Sequence, residues 1–305
     1  MKSLSIWILQ TGEPLHIDGE NVRPMRAMNL SNKLVNSGHK VVLWSSAFYH
    51  QEKRHRSLIQ QSIRVSNNLE IRLIPSRGYQ HNIGLGRLLD NAQLAINLIK
   101  MLKKYNNVPD VAFIGYPPIE TAAVLIHWLS KHGVPSLLDI KDQWPSLFIN
   151  SLPIFIKPFG RIVLLPYFYL AKRAMLEATG LSAMANGFLN WALTFSGRTR
   201  TDNDGIFPLT SPSENVATDQ LEKARRWWDS QGILDDGRSR VCFIGSHSRA
   251  FDFKPVYEAA EIALRASDNC QFVICGDGEC SSELYPMLVV YLRSLKMGLQ
   301  EKLSP

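Results

Sequence analysis

A chain of 305 residues, 45% of them hydrophobic and 20% charged, has room for about two ordinary domains and enough apolar residues for buried cores, which excludes disorder as its organising state. The formal charge of +7 is a modest excess at this length. It suits anionic ligands such as phosphates, or an acidic membrane surface, without choosing between them, and solubility alone accounts for it equally well.

In chain order, the apolar run from Leu4 to Leu9 reads as a first strand and is too short for a signal peptide. The loop "TGEPLHIDGENVR" follows, and Pro24 opens a helix with Met25, Met28, Leu34 and Val35 on one face, stopped by Gly38. "KVVLW" is the second strand. Then come strand 69–74, helix 87–105, strand 111–116, helix 120–131 and strand 136–140. A proline-rich apolar stretch leads to a helix ending near Thr179, strand 181–185 and helix 188–196. Continuously apolar strands separated by helices predict an α/β, doubly wound, Rossmann-like parallel sheet over residues 1–205. Turn formers and an amphipathic helix, "ATDQLEKARRWWDSQG", make a linker over 206–238. A second, incomplete Rossmann-like unit occupies 239–305. All four cysteines lie in this last quarter without zinc spacing; Cys242 and Cys275 fall within apolar strands as small hydrophobes, which points to a reducing, cytoplasmic compartment.

Four stretches, "GENVRPMRAMNLSNKLVNSGHKVVLWSSAFYHQEKRHR", "LLDIKDQWP", "GFLNWALTFSGR" and "FIGSHSRAFDF", together resemble the family-four glycosyltransferases of GT-B architecture, especially the branch that builds bacterial surface polysaccharides. The likeness covers about residues 1 to 280 and rests on joint order and spacing. It implies an acceptor-side N-terminal domain, a donor-side C-terminal domain binding a nucleotide-sugar as substrate, a retaining and metal-independent reaction, no further cofactor and no nucleic-acid partner.

Ligands of open α/β sheets sit beyond the carboxyl ends of the strands, so the loops there carry the candidates. In the first loop Gly12 and Gly19 allow backbone amides close to a phosphate, although no complete G-x-G-x-x-G is present. A plain flexible loop fits as well; the resemblance tilts Gly12 toward the donor and Gly19 toward the acceptor. "FYHQEKRHR" packs His50, Lys53, Arg54, His55 and Arg56 into nine residues. It is either a solvated basic loop or a set of contacts to an acceptor phosphate, for which arginine offers a bidentate fork. Asp139 and Asp142 in "LLDIKDQWPSLF" are placed to orient or deprotonate an acceptor hydroxyl, or Asp142 to cap a turn; Trp144 can stack on a sugar or pack. In the second unit, Gly245, Arg249, Gly276 and Gly278 are the donor-side candidates by resemblance, with the "CGDG" turn equally readable as only a turn. Where relatives carry a Lys-Gly pair, Phe251-Asp252 stands, so Lys254 is not carried over.

The segment "LFINSLPIFIKPFGRIVLLPYFYLAKR" is the most apolar of the chain, but prolines, Lys157 and Arg161 interrupt it, so it reads as interfacial docking on the inner membrane face or as core, and not as a span. After Gly278 the family continues through further strands and a pair of donor-binding glutamates with seven residues between them. This chain lacks that pair, which reads as a truncation or frame change after about residue 286 and predicts a weak or inactive transferase. The leading expectation is transfer of a sugar, of hexosyl or N-acetylhexosaminyl type, to a lipid-linked acceptor. A non-catalytic acceptor-binding scaffold and a sugar-nucleotide epimerase of the same fold stand beside it.

Overall fold

The computed structural model describes residues 2–19, 22–81, 84–105, 107–209, 216–249, 251–266 and 268–282, with the backbone of 293–296. The break expected near residue 286 falls outside them. The chain divides into two compact units, Met1–Pro212 and Ser213–Pro305.

The first unit runs β1 (Ser5–Leu9), α1 (Arg26–Asn36), β2 (Lys40–Ser46), a small hairpin of β3 (Phe48–Tyr49) and β4 (Arg54–His55), β5 (Gln61–Ser66), β6 (Leu69–Ile74) and α2 (Leu85–Leu102). It continues with β7 (Val111–Tyr116), α3 (Ile119–Lys131), β8 (Ser136–Ile140), α4 (Ser146–Asn150), α5 (Lys157–Val163), α6 (Leu165–Glu177), β9 (Gly180–Ala183), α7 (Asn186–Ser196) and β10 (Gly205–Ile206). Eight strands form one sheet in the order β10-β9-β8-β7-β1-β2-β6-β5. From β1 the chain builds outward through β2 to β6, then returns to the other side of β1 and builds outward through β7, β8, β9 and β10. The reversal places a topological switch point between β1 and β7, where ligands of such sheets bind.

Both faces are covered over the middle of the sheet, which is why β1 and β7 read as nearly unbroken apolar runs. In β1, Trp7 and Leu9 enter the core under α2, α3, α6 and α7, while Ile8 enters the one under α1 with Val41 and Leu43. Two features depart from the predicted pattern. β5 is antiparallel to β6 across the Asn67-Asn68 turn, and its side chains are almost all exposed, so it carries no apolar signal. The proline-rich stretch is helical: Pro158 and Pro166 stand in the first turns of α5 and α6, where a missing N–H costs nothing.

The second unit contains α8 (Thr218–Ser230), β11 (Ser239–Ile244), α9 (Lys254–Arg265), β12 (Cys270–Gly276) and β13 (Arg293–Lys296). Its sheet is parallel in the order β11-β12-β13, one strand more than the sequence suggested. β12 is buried on both sides: Val273 and Cys275 pack with Trp227 and Trp228 of α8, and Ile274 packs with Phe253 and Ala260. β11 lies at the sheet's edge. Val241, Cys242 and Ile244 on it are exposed, so Cys242 is not the buried small hydrophobe expected, whereas Cys275 is fully buried with its thiol pushed up to about 11 by that burial and by Cys242.

Candidate functional site

The loop that leaves β1 is held by buried charge. Arg56, just past β4, donates Nε and one terminal nitrogen to the two oxygens of Asp18 at 2.7 and 2.6 Å, and its other N–H groups to the carbonyls of Ser46, Phe48 and Glu13. Both partners are almost fully buried. An arginine has five N–H donors and this one uses them all inside the fold. Arg56 therefore clamps the first loop onto the exit of β2, and the assignment to an acceptor phosphate is corrected.

A second buried group sits one strand away. Glu13 pairs with Lys141 and accepts the Ala27 N–H at 2.8 Å, while Asp139 accepts from Arg26 at 3.0 Å and from the Ser182 hydroxyl at 2.7 Å. Arg26 also donates to the Phe207 carbonyl at 2.8 Å. Burial raises the Asp139 pKa, opposed by Ser182, Arg26 and Lys141. With its side chain 1% exposed, Asp139 ties β8, β9 and α1 together and does not present a base to a ligand, a second correction to the sequence reading.

Beyond the carboxyl ends of β1, β2, β6 and β7 opens a small cleft, partly open to solvent. Thr11 and Gly12 contribute from the first loop, Ser46, Phe48 and His50 from the exit of β2, Tyr79 from beyond β6, and Pro117 and Pro118 from beyond β7. Arg87, Asp90, Asn91 and Leu94 of α2 close one side. A side chain on Gly12 would meet nothing within 4 Å, so its backbone is open to approach.

His50 is the cavity's titratable centre. Its Nδ1 lies 2.6 Å from the Tyr79 hydroxyl and 3.1 Å from Lys53 Nζ. A lysine ammonium only donates, so Nδ1 accepts and the ring hydrogen resides on Nε2. Burial, then Lys53 and Arg87, push the His50 pKa down to about 4, leaving the ring neutral near neutrality. Lys53 is itself lowered by burial and by Arg87. Its ammonium stands 4.6 Å from the Tyr79 ring centre, and the Arg87 guanidinium 4.8 Å from that of Trp144.

Asp142 is half-buried beside this group: Oδ1 accepts the Gln143 N–H at 2.7 Å, and burial raises its pKa against the opposing effects of Gln143, Trp144 and Arg87. Arg54 points outward to Glu52 at 2.5 Å, and Gly19 lies on the loop near Val22; neither lines the cavity. Gly12 and His50 thus line the cleft, whereas Lys53, Trp144 and Asp142 reach it only through His50 and Arg87. Arg87, Asp90 and Asn91 were missed by sequence reading. The signal was there: polar residues at i, i+3 and i+4 on the face of α2 that also carries buried Leu94 and Leu98.

In the second unit the turns after β11 and β12 cross. A side chain on Gly276 would fall 1.8 Å from the Gly245 carbonyl oxygen, and one on Gly278 2.5 Å from that of His247. His247, fully buried, lies 2.9 Å from the Ser281 hydroxyl, which donates to Asp277 at 2.8 Å. Gly276 and Gly278 are required by this crossing. Arg249 is exposed, its N–H donating to Glu279 at 3.1 Å.

On the surface of the first unit, the turn before α5 exposes Ile154 and Phe155 and α5 exposes Phe159 and Ile162, at 66 to 82%, with Val163, Leu165 and Tyr169 of α5 and α6, among Lys157, Arg161, Lys172 and Arg173. No helix among the described residues is long and apolar enough to cross a membrane.

No protein-family model and no curated protein matches the sequence. Solved structures do match the fold. The catalytic domain of starch synthase IV from Arabidopsis thaliana, bound to ADP and acarbose, aligns at TM-score 0.58 and 12% identity, over 96% of this chain and 74% of that one. A trehalose-phosphate synthase from E. coli bound with UDP-2-fluoro glucose gives 0.58 and 12%, over 97% and 74%. WaaG, a glycosyltransferase involved in lipopolysaccharide biosynthesis, gives 0.55 and 11%, over 95% and 69%. The fold is therefore that of the GT-B glycosyltransferases, and the chain spans 69 to 74% of the length of these structures.

Proposed function

We propose that this chain is a sugar transferase that takes a glycosyl group from a nucleotide-sugar and passes it to an acceptor seated on the first unit. The observation that carries this is the cleft at the switch point between β1 and β7 of a GT-B fold, lined by the open Gly12 backbone, His50 and Arg87, with Lys53 bonded to His50 and the Asp142 carboxylate in electrostatic reach of Arg87. Asp142, with its raised pKa, supplies the base that orients or deprotonates the acceptor hydroxyl. Gly245 and Arg249 mark the donor side. A lipid-linked acceptor in surface polysaccharide assembly, met at the inner face of the cytoplasmic membrane, fits the apolar and basic surface of α5 and α6.

Calorimetry with UDP-glucose and ADP-glucose, then transfer of label from the bound nucleotide-sugar to a lipid-linked acceptor extract, tests the reading; a chain that binds neither is no transferase. Asp142→Asn is expected to lower turnover by about 100-fold or more with donor affinity kept, and equal loss of both would assign Asp142 to folding. Flotation with anionic liposomes tests the surface, and binding unchanged by Lys157→Glu and Arg161→Glu would remove its electrostatic part.

A further inference from the structure

Helix α2 is apolar on two opposite sides. Leu94, Leu98 and Met101 enter the core, as one stripe of any helix laid on a sheet must. Directly opposite, Leu85, Leu89, Ile96 and Ile99 are 40 to 77% exposed, with exposed Ala92 between them. These five stand four, three, four and three residues apart, the spacing that keeps side chains in one row along a helix and makes the seam of a coiled coil. A surface helix ordinarily turns charged residues outward, yet this outer row holds none before Lys103. Gly86 and Gln93 flank it, and the exposed lysines 100, 103 and 104 are gathered at its C-terminal end. A helix lying in a membrane interface carries basic residues along its polar face, so this distribution suits the seam of another helix better than a bilayer.

We propose that the outer row of α2 is a homodimer interface, in which α2 of two copies pair antiparallel about a two-fold axis. Charge selects the orientation. Parallel pairing sets Lys100 and Lys103 against their own copies, whereas antiparallel pairing parts the two lysine clusters by most of the row's length, about 20 Å. Pattern selects the register: apolar overlap is greatest with Leu89 facing the partner's Ile99 and Ala92 facing the partner's Ile96, each pair occurring twice by symmetry. Small against branched at the centre lets the helices approach, and the Lys103 stem covers the partner's Leu85 with its ammonium in water. Two rows of this length bury on the order of 1,000 Å² in total, too little for an obligate dimer and enough for a transient one with a dissociation constant in roughly the micromolar range. On its inner side the same helix brings Arg87, Asp90 and Asn91 to the cleft, so the pairing braces that wall from outside, with no nucleotide-sugar needed.

Sedimentation velocity of the 305-residue chain from about 1 to about 200 μM tests the pairing. A reversible monomer–dimer exchange is expected, with Leu89→Glu and Ile99→Lys each weakening it about tenfold or more. Both side chains are exposed, so both variants are expected to fold, and thermal melts that match the parent check this. An equimolar mixture of the two variants restores the dimer, because the introduced carboxylate of one chain then faces the introduced ammonium of the other; a parallel pair gives no such rescue. Ile162→Glu, on the separate apolar surface of α5, is expected to leave the exchange unchanged. A parent that stays monomeric throughout, a Leu89→Glu variant that dimerises as the parent does, or folded variants whose mixture stays monomeric overturns the proposal. So does a monomeric parent whose binding to phosphatidylglycerol vesicles is abolished by Leu89→Glu, a result that gives the row to the membrane.

Discussion

The loops that follow the first strand of each unit are held by opposite means. In the first unit, charge pins the chain: Arg56 reaches back to Asp18, and Lys141 to Glu13, so the loop needs no glycine at its contacts and Gly12 stays open to the cavity. In the second, backbone packs directly on backbone, and the glycines at 276 and 278 are consumed in letting the turn after β12 cross the one after β11. A glycine in a post-strand loop thus has two distinct meanings. Where side-chain clamps fix the loop it is available to a ligand; where the glycine itself is the contact, it is a packing residue first.

The largest expected effect comes from breaking the ionic clamp. Arg56→Ala leaves the Asp18 carboxylate buried and unpaired, and is expected to cost about 3–5 kcal/mol, read as a lower midpoint in denaturant for the first unit. Next comes the backbone clamp. Gly276→Ala places a methyl group against the Gly245 carbonyl from a φ of +150, with an expected cost of about 1–3 kcal/mol confined to the second unit. Hydrogen exchange resolves the two: if Gly276→Ala loosened the amides of β1 and β2 as much as those of β12, the comparison between independent clamps would fail.

A smaller effect follows from His50. Its pKa is about 4 in the fold against 6.5 in a free chain, so between these values the unfolded chain holds a proton that the folded one refuses. Stability therefore falls as pH drops from about 6.5 to about 4, and His50→Gln should remove that part of the slope while leaving the plateau above pH 7. Asp139 and Asp142, both raised, have the opposite sign and lose stabilising effect as pH rises above the ordinary carboxylate value of 3.8, which is why the comparison is made between variant and parent. The smallest change is expected at the exposed pair: Arg54→Ala should stay within about 0.5 kcal/mol of the parent in the same denaturant titration, in contrast to Arg56 two residues on.

That contrast also marks the limit of reading along the chain. β1, β2, β7, β8 and β9 announce themselves because a parallel strand buried on both faces is apolar at most positions, and β6 by its alternation of apolar residues with Glu70 and Arg72, rules that need no knowledge of partners. β5 and the β3–β4 hairpin follow no such rule, since an exposed edge or a two-residue bridge imposes little on its residues. The site was half visible for a related reason. Composition alone marks "FYHQEKRHR" as basic, yet only the fold turns Arg56 inward to meet Asp18, 38 residues earlier, and leaves His50, with Lys53 bonded to it, on the wall of the cleft. Arg87 and Asp90 join that wall because α2 crosses from β6 back to β7 and lays one side of its first two turns along the cleft. What the sequence determined was the alternation of elements, through local periodicity and burial. Which charges became clamps and which face a ligand was decided by tertiary structure, because a charged side chain's role depends on the partner that folding brings within hydrogen-bond reach.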